Sequence, residues 1–388
     1  MNAPATALTV GMVAGEASGD LLGGLLLGAM RQRWPEIAIV GIGGPRMVSH
    51  GMQAWWPHHL LSVHGFGWDV LLRYREIAGV RRQLRSRLLE KKPTLFIGVD
   101  APDFNLQLEE ELKNIGIKTI HFVCPSVWAW RAHRIEKLKR SANHVLCIFP
   151  FEPELLATHG IAATYVGHPL AHVIPMQADR AAARQALGFS DNDDLVALLP
   201  GSRVSEVKHL AMCFLDAAVH MLSNKPHLQF ILPAAPGMQA TLEAAVLKRG
   251  LAGKVRVIAG QSHTALAACD VSLIASGTAT LEAALFKRPM VIAYRMGALS
   301  WQLMKRKRLQ PWVGLPNILC KEFVVPEFLQ EAATPQALAD SVLEWLDAKH
   351  HAPNKLRTLE NRFFDLHLLL SRDTPQLALA AIEKVLNG

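Results

Sequence analysis

The sequence predicts an α/β chain made of two Rossmann-like, doubly wound halves, and three observations predict it. Short apolar runs alternate with helix-length segments along almost all of the 388 residues. Those runs are nearly continuous rather than alternating, as strands of a parallel sheet covered on both faces must be. The strand–loop–helix order, which implies right-handed crossovers, also starts afresh near residue 167. In the first half, residues 8–14 read as a strand, 20–33 as a helix and 37–42 as a second strand. Residues 94–99 give a third strand and 104–114 the helix after it, with further strands at 118–123 and 144–148. After a short run at 165–167, His168-Pro169-Leu170 reads as a linker and 180–187 as a helix. Strands at 195–199, 227–232, 254–258, 271–274 and 290–294 build the second half, and helices are expected at 335–348 and 354–386.

Composition narrows what such a chain does. Hydrophobic residues make up 50% and charged residues 19%, below the roughly 25% usual for soluble domains, which excludes a disordered or fibrous chain. Lys and Arg exceed Asp and Glu by 41 to 33, a net +8. The partners this suggests are a membrane surface, nucleic acid or a phosphorylated small molecule. No apolar run approaches the roughly 18 residues of a spanning helix, and residues 1–11 carry no secretory pattern. The five cysteines, scattered and odd in number, read as reduced thiols in a cytoplasm.

Four loops directly follow strands, where open α/β sheets bind ligands. Gly15-Glu16-Ala17-Ser18-Gly19-Asp20 lets backbone approach a ligand at a helix start, or is a tight turn capped by Ser18 or Asp20. In Asp100-Ala101-Pro102-Asp103, Asp100 is placed for general-base work and Asp103 for capping, though either carboxylate could simply close the turn. Pro200-Gly201-Ser202-Arg203, followed by Glu206, suits a phosphate or diphosphate through small residues, a helix N-terminus and an Arg fork. Ser276-Gly277-Thr278-Ala279-Thr280-Leu281-Glu282 is a second such loop, with Glu282 able to reach a sugar hydroxyl. The plain alternative for both is an N-cap with ordinary packing. Metal signals are weak: Asp191-Asn192-Asp193 precedes a strand and reads as a polar turn, and His168 and His172 lack an accompanying acid.

Residues 66–92 repay a helical count. Phe66, Val70, Tyr74, Ile77, Val80, Leu84 and Leu88 form a core-facing stripe, and Trp68, Leu71 and Leu72 lie roughly opposite. Arg73, Arg75, Arg81, Arg82, Arg85 and Arg87 crowd the same element, a pattern suited to anionic lipid or to a subunit interface. The segment 301–312, with Trp301, Lys305-Arg306-Lys307-Arg308 and Trp312, is a second membrane-surface candidate. No nucleic-acid recognition motif is present, so no nucleic-acid partner is expected.

The loops together resemble a known family. Val13-Ala14-Gly15-Glu16-Ala17-Ser18-Gly19-Asp20, Gly44-Pro45-Arg46-Met47 and Asp100-Ala101-Pro102-Asp103-Phe104-Asn105 are followed by Pro125-Ser126-Val127-Trp128-Ala129-Trp130-Arg131. Leu199-Pro200-Gly201-Ser202-Arg203, Ala275-Ser276-Gly277-Thr278-Ala279 and Leu315-Pro316-Asn317 complete the series. In that order they resemble lipid-A-disaccharide synthase, a bacterial glycosyltransferase family of the two-domain GT-B fold. The resemblance implies two domains facing a cleft: an acceptor-side domain over 1–167 and a UDP-sugar-binding domain over 168–345. Helices over 346–388 would cross back onto a first domain, of the same chain or of a second one, which leaves a homodimer open.

The resemblance also implies an inverting transfer of 2,3-diacylglucosamine from UDP to 2,3-diacylglucosamine 1-phosphate. UDP leaves and a β(1→6) disaccharide 1-phosphate, a lipid A precursor, forms. It places the base at Asp100, the diphosphate contact at Arg203, and Glu16, Ser18 and Asp20 on the acceptor side. Gly201, Ser202, Ser276, Gly277, Thr278 and Asn317 fall on the nucleotide-sugar side, and Glu282 falls on ribose by analogy with the wider fold. It implies no cofactor and no metal. Membrane contact is expected at Phe66, Trp68, Leu71 and Leu72, on the cytoplasmic face of the inner membrane. The rival readings are a UDP-sugar 2-epimerase or peptidoglycan glycosyltransferase of the same fold, and a non-catalytic sugar-nucleotide or membrane-surface binder.

Overall fold

The structure, a computed structural model, describes residues 8–61, 68–129, 134–297, 301, 302, 304 and 309–388, without the side chains of residues 17, 59 and 68–74. The chain divides into two compact units. One is Met1–Pro169 with Leu370–Gly388, the other Leu170–Leu369. Residues 346–369 therefore sit with the second unit. The stretch expected as one helix over 354–386 is two, Pro353–Leu370 and Thr374–Asn387. Asp373 breaks it by accepting from the Gln376 N–H as an N-cap, with a proline just behind.

The first unit holds a seven-stranded parallel sheet, ordered β3-β2-β1-β4-β5-β6-β7. Its strands are β1 Thr9–Ala14, β2 Ala38–Gly43, β3 Gln53–Pro57, β4 Leu95–Val99, β5 Lys118–Phe122, β6 His144–Cys147 and β7 Ala163–Tyr165. All five residues of β4 are buried, as are all but the first of β1, β2 and β5. Edge strand β3 was not expected: it is half exposed and ends in proline, which only an edge tolerates. Helix Trp68–Lys91 lays Leu84 and Leu88 into the core with Val13, Ile42, Phe96 and Leu108, and Ile77 and Val80 pack beside them, so this part of the stripe faces the core. The last helix belongs to this unit. Thr374 Oγ1 donates to Val166 O at 2.7 Å, and Lys118 Nζ donates to the terminal carbonyls of Val385 and Leu386, where a cation is favoured.

The second unit holds a six-stranded parallel sheet, ordered β10-β9-β8-β11-β12-β13. Its strands are β8 Leu195–Leu199, β9 Gln229–Ala234, β10 Val255–Ala259, β11 Val271–Ala275, β12 Met290–Tyr294 and β13 Glu327–Leu329. Only three residues long, β13 gave no periodic signal in the sequence. The turn at Asp191-Asn192-Asp193 is a structural one. Buried Arg184 takes the carbonyls of Asp191 and Asp193, and the Asp193 carboxylate accepts from Ser190 N.

Each sheet reverses its strand order once, between β1 and β4 in the first and between β8 and β11 in the second. Loops leaving the carboxyl ends at such points diverge and open a crevice. All four loops singled out above leave one of these four strands.

Candidate active site

In the first unit the loops after β1 and β4 touch. A Cβ added to Gly15 would come within 2.9 Å of the Ala101 Cβ. Glu16 is the N-cap of helix Ala17–Arg33 but uses no side-chain bond there, and both Glu16 and Ser18 are exposed. Their polar groups are therefore available at this opening. Asp20 is engaged differently. It is 4% exposed, and its carboxylate accepts from the backbone N–H groups of Gly44, Arg46 and Met47 at 2.9, 3.0 and 3.1 Å. Asp20 thus caps the short helix Pro45–Ser49 and fixes the Gly44-Pro45-Arg46-Met47 loop, a contact that local sequence could not show.

Asp100 is half-buried, and among the described residues nothing bonds its carboxylate. Its backbone is held from two sides. Asp100 N donates to Phe122 O at 2.8 Å, and the Asn105 amide donates to Asp100 O at 2.8 Å. Neither aspartate caps helix Pro102–Lys113. Ala101 occupies the N-cap in a left-handed conformation, φ 44°, and no side chain closes the cap. Asp103 lies in the first turn and pairs with Arg134 at 2.6 Å. The capping expected of Asp103 is therefore not observed, and Asp100 presents a free carboxylate at the end of β4.

In the second unit the two anion-suited loops line one cavity of about 440 Å³ at the β8/β11 reversal, within the roughly 300–1,000 Å³ of small-molecule sites. Gly201, Ser202, Arg203, Ser276, Gly277, Thr278 and Glu282 all contribute to it. Gly201 has φ +116°, and a Cβ there would lie 2.5 Å from the Glu206 Cβ, so only glycine fits. Glu206 accepts from the Ser202 and Arg203 N–H groups and pairs with Arg203 at 3.3 Å. The Arg203 side chain is 82% exposed, so this pair is weak and the guanidinium is free to turn to an anion.

Helix Thr278–Leu285 starts at Gly277 with no side-chain cap, which leaves N–H groups toward the cavity. Glu282 stands 3.5 Å from His263, whose pKa is raised by that hydrogen bond. Sequence reading missed His263. It also missed the Pro233–Pro236 stretch, Gly260 and Ser262, which complete the cavity wall at the ends of β9 and β10. Their only signal was position after a strand.

Asn317 is not brought to the cavity. It is fully buried, its amide donates to Val325 O and Glu327 Oε1, and its oxygen accepts from Val325 N. Glu327 also accepts from Val313 N and Gly314 N. Asn317 therefore latches the 313–317 segment beside the cavity, and every polar atom it would offer a ligand is used.

Of the membrane-contact residues, Phe66 lies outside the described residues, as do the side chains of Trp68, Leu71 and Leu72; the Lys305–Arg308 run is outside them too. Three of the arginines read as lipid-facing have partners within the first unit while staying partly or fully exposed. Arg81 stacks on Phe104, Arg85 pairs with Glu111 at 3.0 Å, and Arg87 stacks on Trp56. Among the described residues no helix is long and apolar enough to cross a membrane, and no three His, Cys, Asp or Glu side chains are grouped to hold a metal.

Two doubly wound units, with an anion-suited cavity at the reversal of one sheet and the Asp100 carboxylate at the reversal of the other, give the chain the architecture of the GT-B class. Similar solved structures agree on the fold. A putative UDP-N-acetylglucosamine 2-epimerase from Listeria monocytogenes matches with TM-score 0.65 and 11% identity, covering 97% of this chain and 96% of its own. MurG from Acinetobacter baumannii matches with TM-score 0.56 and 13% identity, covering 97% and 99%. A family model described as lipid-A-disaccharide synthetase matches residues 10–382. The lipid-A-disaccharide synthase of Albidiferax ferrireducens is 65% identical over 98% of both chains. That of Verminephrobacter eiseniae is 58% identical over 100% of this chain and 98% of its own. The chain belongs to the lipid-A-disaccharide synthase family of glycosyltransferases.

Proposed function

We propose that the chain transfers 2,3-diacylglucosamine from UDP to the 6-hydroxyl of 2,3-diacylglucosamine 1-phosphate, with inversion, to give the β(1→6) disaccharide 1-phosphate and UDP. The observation that carries this reading is the single cavity lined by both anion-suited loops, in a chain of this family. The acceptor oxygen attacks the anomeric carbon while its proton passes to the Asp100 carboxylate. The bond to the UDP oxygen breaks, and the electron pair leaves on the β-phosphate. Arg203 and the N–H groups that open helices Val204–Asn224 and Thr278–Leu285 offset the charge growing there. Glu282, held by His263, reaches the ribose hydroxyls. Glu16 and Ser18 meet the acceptor, and Asp20 serves it indirectly by shaping the Gly44–Met47 loop.

Both substrates are anionic and lipid-tailed, so the enzyme works at the cytoplasmic face of the inner membrane, with residues 66–72 as the docking surface. Purified protein incubated with both substrates should yield the disaccharide 1-phosphate and UDP in equal amounts, and Asp100→Asn should cut transfer to a residual rate, about 10²–10⁴-fold lower, while leaving UDP binding intact. UDP release without acceptor, or epimerisation of UDP-N-acetylglucosamine, would overturn the reading. Co-sedimentation with anionic vesicles, lost when Trp68, Leu71 and Leu72 become serine in a folded protein, tests the docking surface. Retained sedimentation would remove it.

A further inference from the structure

Beneath the Asp100 loop lies a buried polar cluster that the chemistry above does not use. Asn105, Glu109 and His121 are each 0% exposed. Asn105 and Glu109 are one turn apart on helix Pro102–Lys113 and share a face. Both press on Gly98 of β4, where an added Cβ would overlap Glu109 Oε1 and come within 2.9 Å of Asn105 Cγ. His121, on neighbouring β5, places Nδ1 2.7 Å from Glu109 Oε1. The Asn105 amide donates to Asp100 O and, more weakly, to Val99 O.

Asp100 and Ala101 are consecutive left-handed residues, φ 52° and 44°, and neither is glycine. Such a pair persists only where its surroundings hold it. The Asn105 bond to the Asp100 carbonyl is one of the holds.

Three buried polar atoms in this cluster, Asn105 Oδ1, Glu109 Oε2 and His121 Nε2, have no partner among the described residues, and the first two are acceptors. An amide oxygen and an ionised carboxylate are both acceptors, so they cannot satisfy each other. A proton on Glu109 Oε2 would supply the donor these two lack, because a carboxylic acid can donate to the amide oxygen one turn away on the same helix face. Burial raises the Glu109 pKa, against the opposing pull of His121, Lys137 and Lys113. That proton would join two observed bonds, His121 Nδ1 with Glu109 Oε1 and Asn105 Nδ2–H with Asp100 O, into one chain through Glu109 Oε2–H and Asn105 Oδ1.

We propose that Glu109 is kept as the neutral acid and, through Asn105, is a positioning residue that locks the strained Asp100–Ala101 turn and so aims the Asp100 carboxylate. This rests on Asp100 being the base. Glu109→Gln keeps the chain, since its amide donates to Asn105 and its carbonyl accepts from His121. Glu109→Leu and Asn105→Ala break it. The expected result is kcat within about threefold of wild type for Glu109→Gln. Glu109→Leu and Asn105→Ala should lose at least tenfold in kcat, with UDP affinity and donor KM unchanged. Because the cluster acts only through Asp100, adding Asn105→Ala to Asp100→Asn should cause no further loss.

Infrared difference spectra between wild type and Glu109→Gln at neutral pH should show a protonated carboxyl band. Its absence overturns the proposal whatever Asp100 does. Equal losses in Glu109→Gln and Glu109→Leu would mean an ionised Glu109–His121 pair and also overturn it, as would a further loss in the double variant. Should Glu109→Leu not fold, Glu109→Gln, Asn105→Ala and the spectrum still decide. Wild-type turnover by Asp100→Asn removes the base and this inference together. A slowed Asp100→Asn beside fully active Asn105→Ala removes this inference alone.

Discussion

Replacing Asp20 separates a loop-shaping carboxylate from a ligand-binding one. Its Oδ1 accepts from Gly44 N and Met47 N, its Oδ2 from Arg46 N, all within 3.1 Å, and Asp20 itself is 4% exposed. A hydrogen bond to a charged group is worth roughly 1.5–3 kcal/mol, and an orphaned buried donor costs about 1–3. Asp20→Ala orphans three donors, but Arg46 is exposed and water reaches part of the loop. A loss of about 3–4 kcal/mol follows, well short of the naive sum, because such terms do not add. Asp20→Asn keeps an oxygen for Gly44 and Met47 while setting an NH₂ against the Arg46 N–H, and should lose about 2 kcal/mol. Urea unfolding followed by circular dichroism measures both, fitted as separate transitions since two units need not melt together. UDP binding, proposed for the second unit, serves as the internal control. The ordering Ala below Asn below wild type is the signature of the cap. If both variants unfold like wild type yet fail to turn over substrate, Asp20 is a ligand contact and the capping argument is wrong.

Three further outcomes are expected. Arg203→Ala should move the unfolding midpoint little, since an exposed pair is worth ~0–1 kcal/mol, but weaken UDP binding about tenfold or more, ~1.4 kcal/mol; unchanged affinity in calorimetry would place the diphosphate elsewhere. Gly201→Ala forces a Cβ against Glu206 at φ +116° and should destabilise the loop by about 1–3 kcal/mol with a matching loss of UDP affinity; a variant that binds UDP like wild type would show the loop is not part of the site. Burial raises the Glu152 pKa to about 8 against bonds from Phe149 N and Trp128 Nε1. The folded state thus holds a proton the unfolded chain releases above its ordinary value of 4.5. Stability is full below that pH and falls between it and about 8, by up to about 1.4 kcal/mol per pH unit. Glu152→Gln should flatten that slope in pH-dependent melts, and identical slopes would rule the ionisation out.

The strands were legible wherever they are buried on both faces, because a continuous apolar run has little else to be. Those lost to the reading were marginal in a physical sense: β3 is an edge with exposed Gln53 and a terminal proline, and β13 is three half-buried residues. The break at Asp373 was encoded all along, as Asp-Thr-Pro before an apolar run is an N-cap signature, but the periodicity on either side masked it. At the site, residues that line the cavity through backbone or an exposed tip were legible from local pattern, as Gly201, Ser202 and Arg203 were. Asp20 drew attention through its loop and Asn317 through the family resemblance, yet both spend their polar atoms on chain between 8 and 27 positions away. No spacing rule distinguishes a carboxylate facing a ligand from one facing a distant backbone.

The two reversal points show why one half was easier to read than the other. Binding a diphosphate asks for unpaired N–H groups, small residues and one mobile cation, and every one of these is written in a few consecutive residues. A base must instead be held in place, because misplacement costs rate even when binding survives. Asp100, the proposed base, is held by strain at Asp100 and Ala101, by its N–H donating to Phe122 O on β5, and by the Asn105 amide of the following helix donating to its carbonyl. That support reads in the sequence as ordinary strand and helix interior. The buried Asn105, Glu109 and His121 cluster follows the same logic: polar residues are costly in a core, and three of them under one strained loop are explained by the position they hold.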